Sequence, residues 1–110
     1  MNNRKRNRAA ARRKVEMSRR RDLHKLFDLV LDINGADSRT RDKTGTLPTA
    51  FFNFSGHTAG VQVELFDQGW YSYANPDHEF NVWCSNSAAP VLKKLSKLTK
   101  DLRDRDHEQP

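Results

Sequence analysis

With 110 residues, a mean hydropathy of −0.92 and 35% hydrophobic residues, the chain has room for one small domain and tails, near the low end of sizes that fold alone. Its formal charge of +6 is unevenly divided: residues 1–21 hold ten Lys or Arg and one acid, Glu16, whereas residues 22–110 hold ten basic and thirteen acidic side chains. This excludes a uniformly basic surface and points to an arm that meets a polyanion; the single Cys84 excludes an internal disulfide and suits a reducing cytoplasm, and no apolar run approaches the ~20 residues of a membrane span.

The arm carries its charge in three clusters, Arg4-Lys5-Arg6-Arg8, Arg12-Arg13-Lys14 and Arg19-Arg20-Arg21, separated by Ala9-Ala10-Ala11 and Val15-Glu16-Met17. Ala and Arg favour helix, but repulsion among like charges opposes it. The expectation is a disordered arm, residues 1–21, that gains helix when a polyanion neutralises it. From Ser18 onward, Leu23, Leu26, Phe27, Val30, Leu31 and Ile33 recur at three- and four-residue steps. That is the buried stripe of a helix, which Asn34-Gly35 stops.

Residues 36–48 are polar and read as a loop. From Thr49 the period becomes two, predicting a first strand through Ser55 and a second from Val61 to Phe66. A third strand is expected from Trp70 to Ala74 and a fourth from Phe80 to Cys84, with short turns that favour antiparallel neighbours. A last helix, capped by Ser85 or Ser87, carries Leu92, Leu95, Leu98 and Leu102 on one face and Lys93, Lys94, Lys97 and Lys100 on the other. The expected fold is α+β: an antiparallel sheet of three to four short strands flanked by an N-terminal and a C-terminal helix. Residues 22–104 would form the domain and 105–110 a frayed tail.

Motifs of enzyme chemistry are missing: the chain contains no P-loop, GxGxxG, HExxH or GxSxG pattern. Cys84 alternates with Phe80 and Val82 and reads as a small core residue. His57 and His78 fall in separate turns, and with Asp77 and Glu79 they match no zinc or calcium spacing. The expectation is a protein that is not an enzyme, with no catalytic residue, metal or cofactor. The aromatics are more informative. Tyr71 and Tyr73 share one face of the expected third strand, and Trp83 points away from Phe80 and Val82. Together they form a candidate contact surface for bases or for a protein, the alternative being burial beneath the helices.

The helix–strands–helix order, the stretch Phe54 to Phe66 and the Ala88-Ala89 helix resemble the double-stranded-RNA-binding domain. Where that family has a lysine cluster at the start of its second helix, Ser87-Ala88-Ala89-Pro90 stands here. In organisation, a basic N-terminal arm on a small antiparallel α/β body resembles small bacteriophage accessory proteins, among them anti-CRISPR inhibitors of Cas9-type nucleases. That resemblance implies a non-enzymatic inhibitor in the bacterial cytoplasm. Its arm would engage nucleic acid and its body would dock on the nuclease complex. The alternative is a direct RNA- or DNA-binding protein with no protein target, of the double-stranded-RNA-binding or the single-strand-stacking kind. Under both readings the nucleic-acid contacts are Arg4, Lys5, Arg6, Arg8, Arg12, Arg13, Lys14, Arg19, Arg20 and Arg21, and no membrane is involved.

Overall fold

The computed structural model of the chain describes residues 3–83 and 87–108, with side chains described through Arg105. Cys84 and Ser85, expected as a strand end and a helix cap, lie outside the described residues. The element order is α1 (Asn3–Asn34), α2 (Arg41–Thr44), β1 (Thr49–Ser55), β2 (Gly60–Phe66), β3 (His78–Val82) and α3 (Ala89–Glu108).

The first difference from expectation is at the arm. Residues 3–21 are not a disordered extension but the first part of a single helix that continues to Asn34. The physical reason is cooperativity. The half of α1 after Ser18 is held by packing, so nucleation is already accomplished, and each further residue costs little to add. Ala9, Ala10 and Ala11 propagate it well. Glu16 also stands one turn from Arg12, Arg13, Arg19 and Arg20, at the spacing where opposite charges support a helix. At the other end Gly35 takes φ +68, and its N–H donates to the Leu31 carbonyl at 2.6 Å. This is the left-handed cap that the sequence predicts.

The sheet is an antiparallel meander in the order β1-β2-β3, with Phe52 opposite Val63 and Val63 opposite Phe80. The sheet has three strands and not four, because the expected third, Trp70–Ala74, is not a strand, while the expected fourth, Phe80–Cys84, is β3 and begins earlier, at His78. Gly69 (φ +85) turns the chain out of β2, and a Cβ there would lie 3.0 Å from the Gly45 carbonyl oxygen. Tyr73 then adopts φ +69, and Ala74 N–H closes a turn on Tyr71 O. Alternating aromatics therefore imitate a strand where the backbone is bent twice.

Period-two alternation sorts the three real strands into two faces. Ala50, Phe52, Val61, Val63, Leu65 and Val82 face the helices and join Leu26, Val30 and Ile33 of α1 and Leu95 of α3 in the core. The two long helices lie side by side and run parallel: Ser18 and Asp22 are beside Ser87 and Ala88, and Lys25 to Leu29 beside Leu92 to Ser96. Phe27 meets Phe52 edge-on, with ring centroids 5.5 Å apart. Asn34 stitches α1 to β1: its Nδ2 donates to Ala50 O, and Ala50 N–H donates to its Oδ1, both at 2.7 Å. The amide acts as a one-residue strand partner. Segment 36–48, expected as a loop, holds the short helix α2 and is tied down in turn, as Arg39 donates to Asn34 O and Pro48 O. Helix α3 reaches Glu108, and Arg105 donates to Asp67 O at 3.2 Å.

Candidate nucleic-acid interface

Only part of α1 is covered by the body. Every described residue from Asn3 to Ser18 is exposed, and Arg19 is the first that is half-buried. The uncovered length is about 22 Å at 1.5 Å per residue. It accounts for the elongated envelope of 65 × 28 × 21 Å and the radius of gyration of 17.4 Å, against roughly 13 Å for a compact chain of this size.

The charge on this overhang has a direction. Leu26, Val30 and Ile33 mark the face of α1 that packs on the sheet. Continued toward the N-terminus at the same three-, four- and seven-residue steps, that face carries Asp22, Arg19, Val15, Arg12, Arg8 and Arg4, four of the six being arginine. A stripe that is apolar over the core thus turns cationic where the core ends. Arg6, Arg13, Lys14, Arg20 and Arg21 occupy the other sides, and Lys5 lies at the margin of the stripe. The helix is therefore basic all round, the side toward the body included.

Arg19 is the hinge between the two parts. Its Nη2 donates to Ala59 O at 2.7 Å and its Nη1 to Trp83 O at 3.3 Å. One guanidinium thereby holds the β1–β2 turn and the end of β3 against the root of the overhang. Beside it, Lys14, Val15, Ser18, Asp22, Ser87 and Ala88 enclose a concavity of about 420 Å³. The exposed turn residues His57 and Thr58 stand at this same end.

The three candidate aromatics do not form one surface. Trp83, 60% exposed, sits at the end near the basic helix. Tyr71 and Tyr73 lie in the 67–77 connection at the opposite end, with Tyr73 fully exposed and Tyr71 beneath the Arg41 guanidinium at 4.8 Å. Phe66 is buried. It forms an edge-on chain with Phe51 and Trp70, at centroid distances of 5.5 and 6.0 Å. A cleft of about 680 Å³ opens there, lined by Leu31, Arg39, Arg41, Phe51, Trp70 and Tyr71. Trp70 and Arg41 were not singled out from sequence, since nothing in a linear pattern joins a loop arginine to an aromatic about thirty residues later.

His57 and His78 are separated by the length of the sheet: His57 is in the turn before Gly60, whereas His78 pairs with Leu65. Two histidines that sequence leaves free to converge are held apart. His78 instead lies 3.4 Å from Asp67 Oδ2 and stacks on Phe80. Among the described residues, no group of three or more His, Cys, Asp or Glu side chains is arranged to hold a metal ion. Nor is any described helix long and apolar enough to cross a membrane. Compared with protein-family models, curated proteins and solved structures, the chain matches none.

Proposed function

We propose that this protein is a non-enzymatic nucleic-acid-binding protein that lays the overhanging part of α1 along a phosphate backbone. The observation carrying this reading is the change of one helix face from Leu26, Val30 and Ile33 to Arg19, Arg12, Arg8 and Arg4 where the body ends. An overhang of about 22 Å matches roughly six phosphates of one strand at 3.4 Å each. Cations on every side suit a helix flanked by backbone on both walls, as in a groove of duplex nucleic acid. The body supplies the second half of the surface, since Arg19 fixes the β1–β2 turn beside the helix root. The helix–three strands–helix order is also compatible with the resemblance to double-stranded-RNA-binding domains.

Anisotropy titration of purified full-length protein against duplex RNA and duplex DNA tests this. Binding near physiological salt, weakened by the triple substitution Arg4→Gln, Arg8→Gln and Arg12→Gln, is the expected result. Absence of binding by the wild type contradicts the reading.

A second reading keeps the nucleic-acid contact but adds a protein target: a phage-type inhibitor of a nucleic-acid-processing complex, with a Cas9-type ribonucleoprotein as its sharpest form. The cleft of Phe51, Trp70, Tyr71 and Arg41 favours it. Those residue types are the ones that dominate protein–protein hot spots, and the cleft lies at the end remote from the basic overhang. Pulldown from a bacterial lysate with and without nuclease treatment separates the two. Capture of a nuclease complex that survives the treatment, and is lost on Trp70→Ala, supports the inhibitor.

A further inference from the structure

The outer face of the sheet is left uncovered by both long helices, and its composition changes along its length. At the end near β2's C-terminus it carries Phe51, Phe66 and Trp70. Next to these the face carries Glu64 opposite Glu79, and toward the other end it is rich in side-chain amides. Asn53 of β1, Gln62 of β2 and Asn81 of β3 lie on this face in adjacent strands, Asn53 opposite Gln62 and Gln62 opposite Asn81. With Ser55, Thr58 and Trp83 they surround a pocket of about 230 Å³. That is smaller than the ~300 Å³ at which pockets for drug-sized ligands begin, and of the scale of one planar ring system.

Three features give the pocket a chemical direction. The Trp83 ring lies against Gly60, where a Cβ would stand 3.8 Å from Cε3 and 3.3 Å from Thr58 Oγ1. More than half of Trp83 nonetheless remains open to solvent, which leaves ring surface for stacking. Beside the ring, Asn and Gln amides present donor and acceptor in one plane, the pattern that pairs with the edge of a nucleobase. Gln62 Nε2 donates to Glu79 Oε1 at 2.7 Å, which fixes the orientation of the central amide. The pocket is also joined to the basic helix, because the Arg19 guanidinium that bonds Trp83 O belongs to the cationic stripe.

From this juxtaposition we infer that the pocket takes one unpaired nucleobase, stacked on Trp83 and edge-bonded by Asn53, Gln62 and Asn81, from a strand whose phosphates follow α1. The inference rests on the proposed nucleic-acid contact and deepens it. It makes the preferred ligand a single strand or a junction of duplex with single strand, since a fully paired duplex offers no base to the pocket.

The test uses full-length protein, a short mixed-sequence single-stranded oligonucleotide, and a blunt duplex of the same sequence. In a Trp70→Phe background, where Trp83 is the remaining tryptophan, the single strand should quench tryptophan emission and the blunt duplex should not. In the otherwise native chain, Trp83→Ala should weaken single-strand binding about tenfold, in the range found for loss of one stacking side chain. Blunt-duplex affinity should stay within twofold. Asn81→Ala should weaken the single strand several-fold while quenching at saturation persists. Unquenched Trp83 with single-strand affinity unchanged in Trp83→Ala overturns the pocket and leaves the helix contact standing. Equal loss of single strand and duplex in Trp83→Ala also overturns it. Failure of the wild type to bind either probe overturns the helix contact and the pocket together.

Discussion

Asn34 occupies the last residue of α1 and replaces a missing strand neighbour for Ala50, taking its N–H and supplying a donor to its carbonyl. Ala50 is buried, so removing the amide leaves two backbone groups without partners and with little access to water. Asn34→Ala should cost about 2 kcal/mol of unfolding free energy, within the range for orphaned buried polar groups, read as a lower urea midpoint at unchanged slope. Asn34→Asp keeps the acceptor and loses the donor, and should fall between the two. Tyr73 presents the opposite case. It holds φ +69 while fully exposed, a backbone state that is unfavourable for a bulky side chain and tolerated by Asn. Tyr73→Asn should therefore raise stability by up to ~1 kcal/mol in the same urea titration. It should leave nucleic-acid affinity unchanged, because Tyr73 lies away from the basic end.

At the scale of the element, α1 is two helices in function and one in backbone. Its C-terminal half is part of the core, with Leu26 fully buried, and its N-terminal half is exposed from Asn3 to Ser18. A pair of substitutions on the same helix separates them. Leu26→Ala should destabilise the domain by about 2–5 kcal/mol, as large-to-small core changes do. Ala10→Gly should cost about 1 kcal/mol of local helix and leave the melting transition of the domain in place, with only a small loss of helical circular dichroism.

The same element shows what was legible beforehand. Leu23 to Ile33 announced its helix because an apolar stripe has a period, and Gly35 announced its end because few other residues take that conformation. The helix before Ser18 was not legible, since local charge repulsion argues against it and only the packed half downstream supplies the nucleus. β1, β2 and β3 were legible from alternation. Trp70–Ala74 alternates equally well, but two positive-φ positions, Gly69 and Tyr73, bend it out of the sheet. The basic residues of the site were plain from composition. Their alignment with the core stripe, the Arg19 clamp and the amide pocket depend on which strands pair, and pairing across strands has no signature in a single run of residues.

For the molecule as a whole, charge and shape divide the work. The body beyond residue 21 carries more acid than base, so on the proposed reading attraction to a polyanion would come from the overhang, and discrimination from the body beside it. A cationic rod on an acidic body also orients the molecule as it approaches, favouring encounters that begin at α1. On the proposed reading, the turn held by Arg19, the amide pocket and Trp83 would meet the ligand next. The expected consequence is an affinity strongly dependent on salt, with a log–log slope of about −0.7 to −0.9 per phosphate contact.

The most direct measurement is therefore the salt dependence of binding by the full-length protein and by the Arg4→Gln, Arg8→Gln, Arg12→Gln variant, using one oligonucleotide and anisotropy from low to physiological salt. A steep wild-type slope is expected, becoming shallower in the variant by about 2–3 units, the loss of three phosphate contacts, with the melting temperature unchanged. An identical slope in the two proteins, or no salt dependence in either, would contradict that expectation.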